Sequence, residues 1–156
     1  MPAGYGIGRG KSAPGELLPW ARVVEWLERS RNYWVCTTRP DGRPHAKPVW
    51  GLWMDGALLF STDPTSVTGR NLAAGSPLIA HLESGDEVAI LEGEIEHPND
   101  PDLLKRFADS YDEKYGIRVD VSDSSTPIIA LRPSIVLSWE ESNYPETATR
   151  WDVPET

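Results

Sequence analysis

Residues 33–74 read YWVCTTRPDGRPHAKPVWGLWMDGALLFSTDPTSVTGRNLAA, three runs rich in β-branched and aromatic residues that are separated by Asp41-Gly42 and Asp55-Gly56. Asp-Gly pairs supply the positive φ that a tight hairpin connection demands, so the spacing predicts strands over 33–38, 45–54 and 57–62. Two hairpins in series make a meander. A short helix is expected after the third strand, with Asp63 as its N-cap, Pro64 behind it and Gly75-Ser76-Pro77 as its stop.

Working outward, Pro19 suits a first helical turn, and Leu17, Trp20, Val24 and Leu27 recur at helical spacing, which predicts a helix ending near Arg29. Residues 78–83 and 87–96 read as an antiparallel pair across Ser84-Gly85-Asp86. A further helix opens at Asp100-Pro101, carries Leu104, Phe107, Tyr111 and Tyr115 on one stripe and closes at Gly116. A polar loop over 118–127 and a last strand over 134–139 complete the chain. About six strands against three helices predict a mainly β fold, a small barrel with flanking helices. The sequence divides into a flexible arm over 1–15 and one domain over 16–156.

The 156 residues carry a formal charge of −9, which argues against a nucleic-acid partner, because phosphate-backbone binders present a basic face. The single cysteine, Cys36, cannot form an internal disulfide, and no apolar run is long enough for a membrane span. A reducing cytoplasm is the expected setting. Cys36 alternates with Trp34 and Thr38 on a strand, where a small buried hydrophobe is expected and not a nucleophile. In the arm, GIGRGKS resembles the end of a phosphate-binding loop, but Tyr5 stands where the first glycine belongs and Pro14 interrupts the helix that should follow.

No GxSxG, HExxH or CxxC pattern occurs, which points to chemistry carried by a bound cofactor that the protein orients. Two stretches suit pocket walls. In the first, Lys47-Pro48-Val49-Trp50-Gly51, the proline removes a ladder donor and the glycine a side chain, so a ligand can approach, with Lys47 to hold an anion. An edge strand with a solvated lysine explains that stretch equally well. The second runs from Ser61 and Thr62 to Arg70 and Asn71, hydroxyls and a cation around a helix start, although ordinary capping by Asp63 accounts for much of it. Trp50, Trp53, Trp139 and Trp151 remain as candidates for ring stacking.

Taken in order, TTRPDGRPHAKPVWG, DGALLFST, GRNLA, IAHLESGDEVAILEGE and TATRW resemble the pyridoxamine 5'-phosphate oxidase-like split-barrel superfamily, in its actinobacterial flavin/deazaflavin oxidoreductase branch. The likeness spans about residues 19–153. It implies a six-stranded FMN-binding split β-barrel, a homodimer with two cofactor sites between its subunits, and hydride transfer between coenzyme F-420 or FMN and a small-molecule substrate. Lys47, Pro48, Val49 and Trp50 would border the ring, Ser61, Thr62, Arg70 and Asn71 would lie near the phosphate, and Trp139, Arg150 and Trp151 would close the site from the partner chain. No side chain is needed as acid or base. Many relatives carry basic residues just before the Arg-Asn pair, where this chain has Val67 and Thr68. The short chain argues against pyridoxamine phosphate oxidation itself. The rival reading is a non-catalytic barrel that binds haem or an apolar ligand, and a purely structural dimer would bind nothing.

Overall fold

The computed structural model describes residues 8–9 and 17–153. In chain order the elements are β1 (Gly8–Arg9), α1 (Trp20–Arg29), β2 (Asn32–Thr38), β3 (Pro44–Met54), β4 (Ala57–Ser61), α2 (Val67–Ala73), β5 (Leu78–Leu82), β6 (Glu87–Glu96), α3 (Pro101–Tyr115), β7 (Ile128–Glu140), α4 (Tyr144–Thr147) and β8 (Thr149–Asp152). The strands lie in the order β1-β8-β7-β4-β3-β2-β5-β6, and β6 also pairs with β7. That last pairing closes β2 to β7 into a six-stranded antiparallel barrel, as expected. Apart from Gly8 and Arg9, which pair in parallel with Thr149 and Arg150, the arm predicted over 1–15 lies outside the described residues.

Both Asp-Gly turns form as read. Asp55 has φ 49° and Gly56 φ 74°, the pair of positive values that a two-residue hairpin loop requires. Alternation then sorts the side chains. Tyr33, Val35, Val49, Leu58, Phe60, Ala80 and Leu91 fill the barrel, joined by Val23, Trp26 and Leu27 of α1 at one end. Leu52, Ala57, Leu59, Ile128 and Ala130 face outward and are covered by Phe107 and Tyr115 of α3. Trp50 and Trp53 fall on opposite faces, the first among the residues under α3 and the second against the barrel core. The helix α3 begins and ends as predicted: the Asp100 carboxylate accepts from Asp102 N at 3.1 Å, and Gly116 adopts φ 72°.

Four expectations need correction. The cap of α2 is Ser66, whose Oγ accepts from Gly69 N at 3.1 Å, and Asp63 instead bonds Thr65 through both its backbone N–H (2.7 Å) and its hydroxyl (2.8 Å). Asp63 lies three residues too early to cap the helix. The last strand begins at Ile128 and not at 134, because Pro133 stands at a β-bulge opposite Gly93, where the pairing shifts register and a ladder donor is not required. The strand β8, over the TATRW stretch, was not expected. Cys36 is half-buried on the outer face and not in the core, with burial raising its thiol pKa.

Candidate functional site

Lys47 lies on the row of β3 that faces the barrel interior, two residues before Val49. Its ammonium donates to Thr62 Oγ1 at 3.1 Å, just past the end of β4, and that hydroxyl is 3.2 Å from Ser66 Oγ. Strand order explains the meeting: β3 and β4 are antiparallel neighbours, so the start of one adjoins the end of the other. The turn over 63–65 closes on the first turn of α2 because residue 69 is glycine; a Cβ there would sit 2.4 Å from Asp63 O and 2.6 Å from Pro64 Cα. From the same helix, buried Asn71 donates through Nδ2 to buried Thr37 Oγ1 at 2.9 Å, which fixes α2 on β2.

Arg22, Arg29, Arg106 and Arg132 each hold a carboxylate, whereas among the described residues Lys47 and Arg70 hold none, and neither do Arg31, Arg39 and Lys114. Arg70 donates to the Thr65 carbonyl, and its other N–H groups have no partner among the described residues. The Asp63 carboxyl is held below the usual carboxylate range, first by the Thr65 hydroxyl and backbone N–H and further by the Lys47 charge. An ammonium has three donors and a guanidinium five, so Lys47 retains spare donors beside the hydroxyls of Thr62 and Ser66, and Arg70 retains spare donors at the Thr65 carbonyl, with the Asp63 carboxylate as an opposing charge.

The remaining predicted residues are spread out. Pro48 is exposed on the outer face and Val49 is core. Trp50 stacks parallel on Tyr115 at 4.7 Å, with the Arg31 guanidinium 5.3 Å from its ring. Ser61 Oγ donates to the Thr126 carbonyl at 3.1 Å. Trp139 meets Tyr144 edge-on at 5.6 Å, Arg150 Nε donates to Asp152 at 3.0 Å, and Trp151 Nε1 donates to Ser138 Oγ at 2.9 Å. Within one chain, therefore, Lys47, Thr62, Arg70 and Asn71 gather around α2, while Trp50, Trp139, Arg150 and Trp151 stand elsewhere.

Two cavities bear on a ring-sized ligand. One of about 300 Å³ opens beside Thr62, between α2 and the strands, and is lined by Pro64, Gly69, Leu72, Ile95, His97 and Ile129. Another of about 420 Å³ lies beside α1, walled by Trp20, Trp53, Trp151, Pro133 and Val153. Sequence reasoning missed Ser66 and Thr37. A serine three residues before Gly69 was a capping signal that Asp63-Pro64 masked, whereas Thr37 is recognisable only once α2 is docked. It also missed a cluster under α3, where Lys114 Nζ contacts Gly51 O at 3.2 Å and Tyr33 Oη at 3.3 Å. Burial, and then the charge of Arg31, push that lysine down to about 8. Burial likewise pushes the Tyr33 hydroxyl up.

The closed six-stranded barrel, with helices at its ends and along one side, is the split-barrel class. A family model described as pyridoxamine 5'-phosphate oxidase matches residues 20–143, and the chain belongs to that family. Among solved structures, a conserved hypothetical protein from Mycobacterium tuberculosis is 24% identical with a TM-score of 0.67, covering 84% of this chain and 90% of its own. An F-420 reductase is 22% identical with a TM-score of 0.54, covering 72% of this chain and 93% of its own. A haem-binding protein from Mycobacterium smegmatis is 18% identical with a TM-score of 0.56, covering 77% of this chain and 57% of its own. Such identities establish the shared fold. No curated protein matches the chain. Among the described residues, no helix is long and apolar enough to cross a membrane.

Proposed function

We propose that this protein is a split-barrel oxidoreductase that binds the deazaflavin coenzyme F-420, or FMN as the second choice, and serves hydride transfer to a small organic substrate. The carrying observation is Lys47, a cation with no carboxylate partner among the described residues of a chain of net charge −9, held on Thr62 beside Ser66. An acidic protein that takes a phosphorylated ligand has to reserve its few free cations for the place where the anion lands. The F-420 reductase that shares the fold supports the same reading.

When bound, the ring supplies the hydride; the chain's own residues bind, orient and exclude water. Lys47, Thr62 and Arg70 hold the phosphate, and the apolar cavity beside Thr62 offers a dry wall. The working form is a homodimer. Helices α1 and α3 pack against the core and the outer face of β3, β4 and β7, which leaves the outer face of β2 and β5 without a helix among the described residues. That face carries Trp34 stacked parallel on His81 at 6.4 Å and Ile79 at 38% exposure, a surface suited to a second copy.

A binding protein for haem or an apolar ligand is the second reading: the tryptophan-walled cavity favours the apolar ligand and offers no histidine to a haem iron, and the fold of the haem-binding protein is what supports haem. Absorption spectra of the purified chain, before and after adding F-420, FMN or haem, decide between them. A perturbed deazaflavin or flavin band supports the oxidoreductase, and a shifted haem band with unperturbed flavin bands removes it.

A further inference from the structure

The cavity of about 300 Å³ beside Thr62 lies where the ends of β4, β7 and β6 meet under α2. Phe60 pairs with Ile129 in the β4–β7 ladder, and the same register carried two residues further sets Thr62 opposite Pro127. In the β6–β7 ladder Ile95 pairs with Leu131 and Glu96 with Ala130, so His97, one residue past β6, falls opposite Ile129. Alternation places His97 on the side of Ile95, with the barrel core, whereas Glu96 turns outward to Arg132. Thr62, Ile95, His97, Pro127 and Ile129 all line the cavity, and Gly69 and Leu72 cover it from α2.

Free polar capacity in this lining is confined to one group. Thr62 and His97 carry its polar side chains, and Thr62 Oγ1 is already held by Lys47 Nζ at 3.1 Å and Ser66 Oγ at 3.2 Å. His97 has no hydrogen bond or ion pair among the described residues, and it is exposed, so it stands between the cavity and solvent. An imidazole nitrogen offers a ligand one directed hydrogen bond, while the remaining walls offer only apolar contact. An anionic group among those walls would lose its hydration without replacement, which selects a neutral ligand. Ligand sites span about 300–1,000 Å³, so a cavity of this size suits a compact molecule.

We propose that this cavity takes a compact, neutral, mainly apolar molecule bearing one hydrogen-bonding oxygen, and that His97 is the side chain that binds that oxygen. The inference rests on the oxidoreductase reading for the identity of the occupant, the small organic substrate. Binding to the cavity is measured without cofactor, so its failure is distinct from a failure to bind F-420 or FMN.

The test is a titration of the full chain with camphor, a bicyclic ketone, and with camphene, a hydrocarbon of similar shape that lacks the oxygen, followed by NMR of the histidine imidazoles. Saturable movement of the His97 resonance with camphor is expected, with His45 and His81 unmoved. Camphene should bind roughly 2- to 10-fold more weakly, the net worth of one neutral hydrogen bond. His97→Phe should bring the two ligands to equal affinity, and His97→Gln, which keeps a donor, should restore part of the difference. Leu72→Trp, which fills the cavity from α2, should abolish binding of both. The proposal is overturned if camphor leaves His97 unmoved, if camphene binds as tightly as camphor, if the preference survives in His97→Phe, or if camphorsulfonate, which adds an anion, binds more tightly than camphor.

Discussion

Replacing Tyr115 by phenylalanine removes a single oxygen from the joint that sets strand β3 against α3. That oxygen accepts from Gly51 N at 3.0 Å and lies within donating distance of Arg31 O at 2.6 Å and Gly51 O at 2.8 Å. The phenyl ring keeps its stack on Trp50 at 4.7 Å, so the loss is confined to hydrogen bonding. Having one proton, the hydroxyl donates to one carbonyl at a time. The change therefore removes one donated and one accepted bond and leaves the Gly51 N–H without its acceptor, which costs about 1–3 kcal/mol. For a chain of this length that corresponds to a fall in Tm of roughly 3–10 °C. Thermal unfolding followed by circular dichroism reads it directly, with urea unfolding to confirm an unchanged m-value. A shift below about 1 °C would refute the reasoning, since it would mean that water replaces the hydroxyl at no cost and that Tyr115 does not anchor the strand carrying Lys47.

Lys47→Met should weaken a phosphorylated cofactor by roughly 10- to 150-fold while leaving its dephosphorylated form almost unchanged, measured by fluorescence titration of the ring. Gly69→Ala forces a methyl against Asp63 O and Pro64, so the 63–65 turn must move away from α2; a loss of about 1–3 kcal/mol in urea unfolding is expected, and wild-type stability would contradict the close approach. Lys114 binds its proton less tightly folded, at about 8, than in its ordinary state at 10.5. The unfolded chain then holds more protons between those values, so stability rises with pH across that window and the penalty is fully present below it. Allowing for a half-exposed group, the rise is about 1–2 kcal/mol, and Lys114→Met should abolish it between about pH 8 and 10.5.

Much of the architecture was legible because local chemistry and tertiary need agree. Asp55-Gly56 could only turn, Asp100-Pro101 could only open a helix, and the unbroken apolar run over 57–60 suited a strand buried on both faces. Where the reading failed, a tertiary partner changed the meaning of a residue. The last strand was expected only over 134–139, whereas it runs through Pro133, which Gly93 across the bulge accommodates. Asp63 had the composition of a cap, yet Thr65 took its carboxylate and Ser66 capped instead. Of the candidate site, Lys47, Thr62, Arg70 and Asn71 were named from the sequence and do gather around α2. Their mutual contacts were not legible, because the Lys47 and Thr62 meeting depends on the pairing of β3 with β4. Trp50 and Trp151 were chosen as aromatic groups beside motifs, and the protein uses the first against Tyr115 and the second against Trp20.

The central claim is that the α2 end of the barrel reads the phosphate of a flavin-type cofactor. Its most direct test is a paired titration of the wild-type chain, FMN against riboflavin and F-420 against its dephosphorylated form, followed by ring absorbance and fluorescence. The account predicts that each phosphorylated ligand binds at least about tenfold more tightly than its partner, and that added salt narrows the gap. Equal affinities within each pair, or no binding of any of the four, would contradict it.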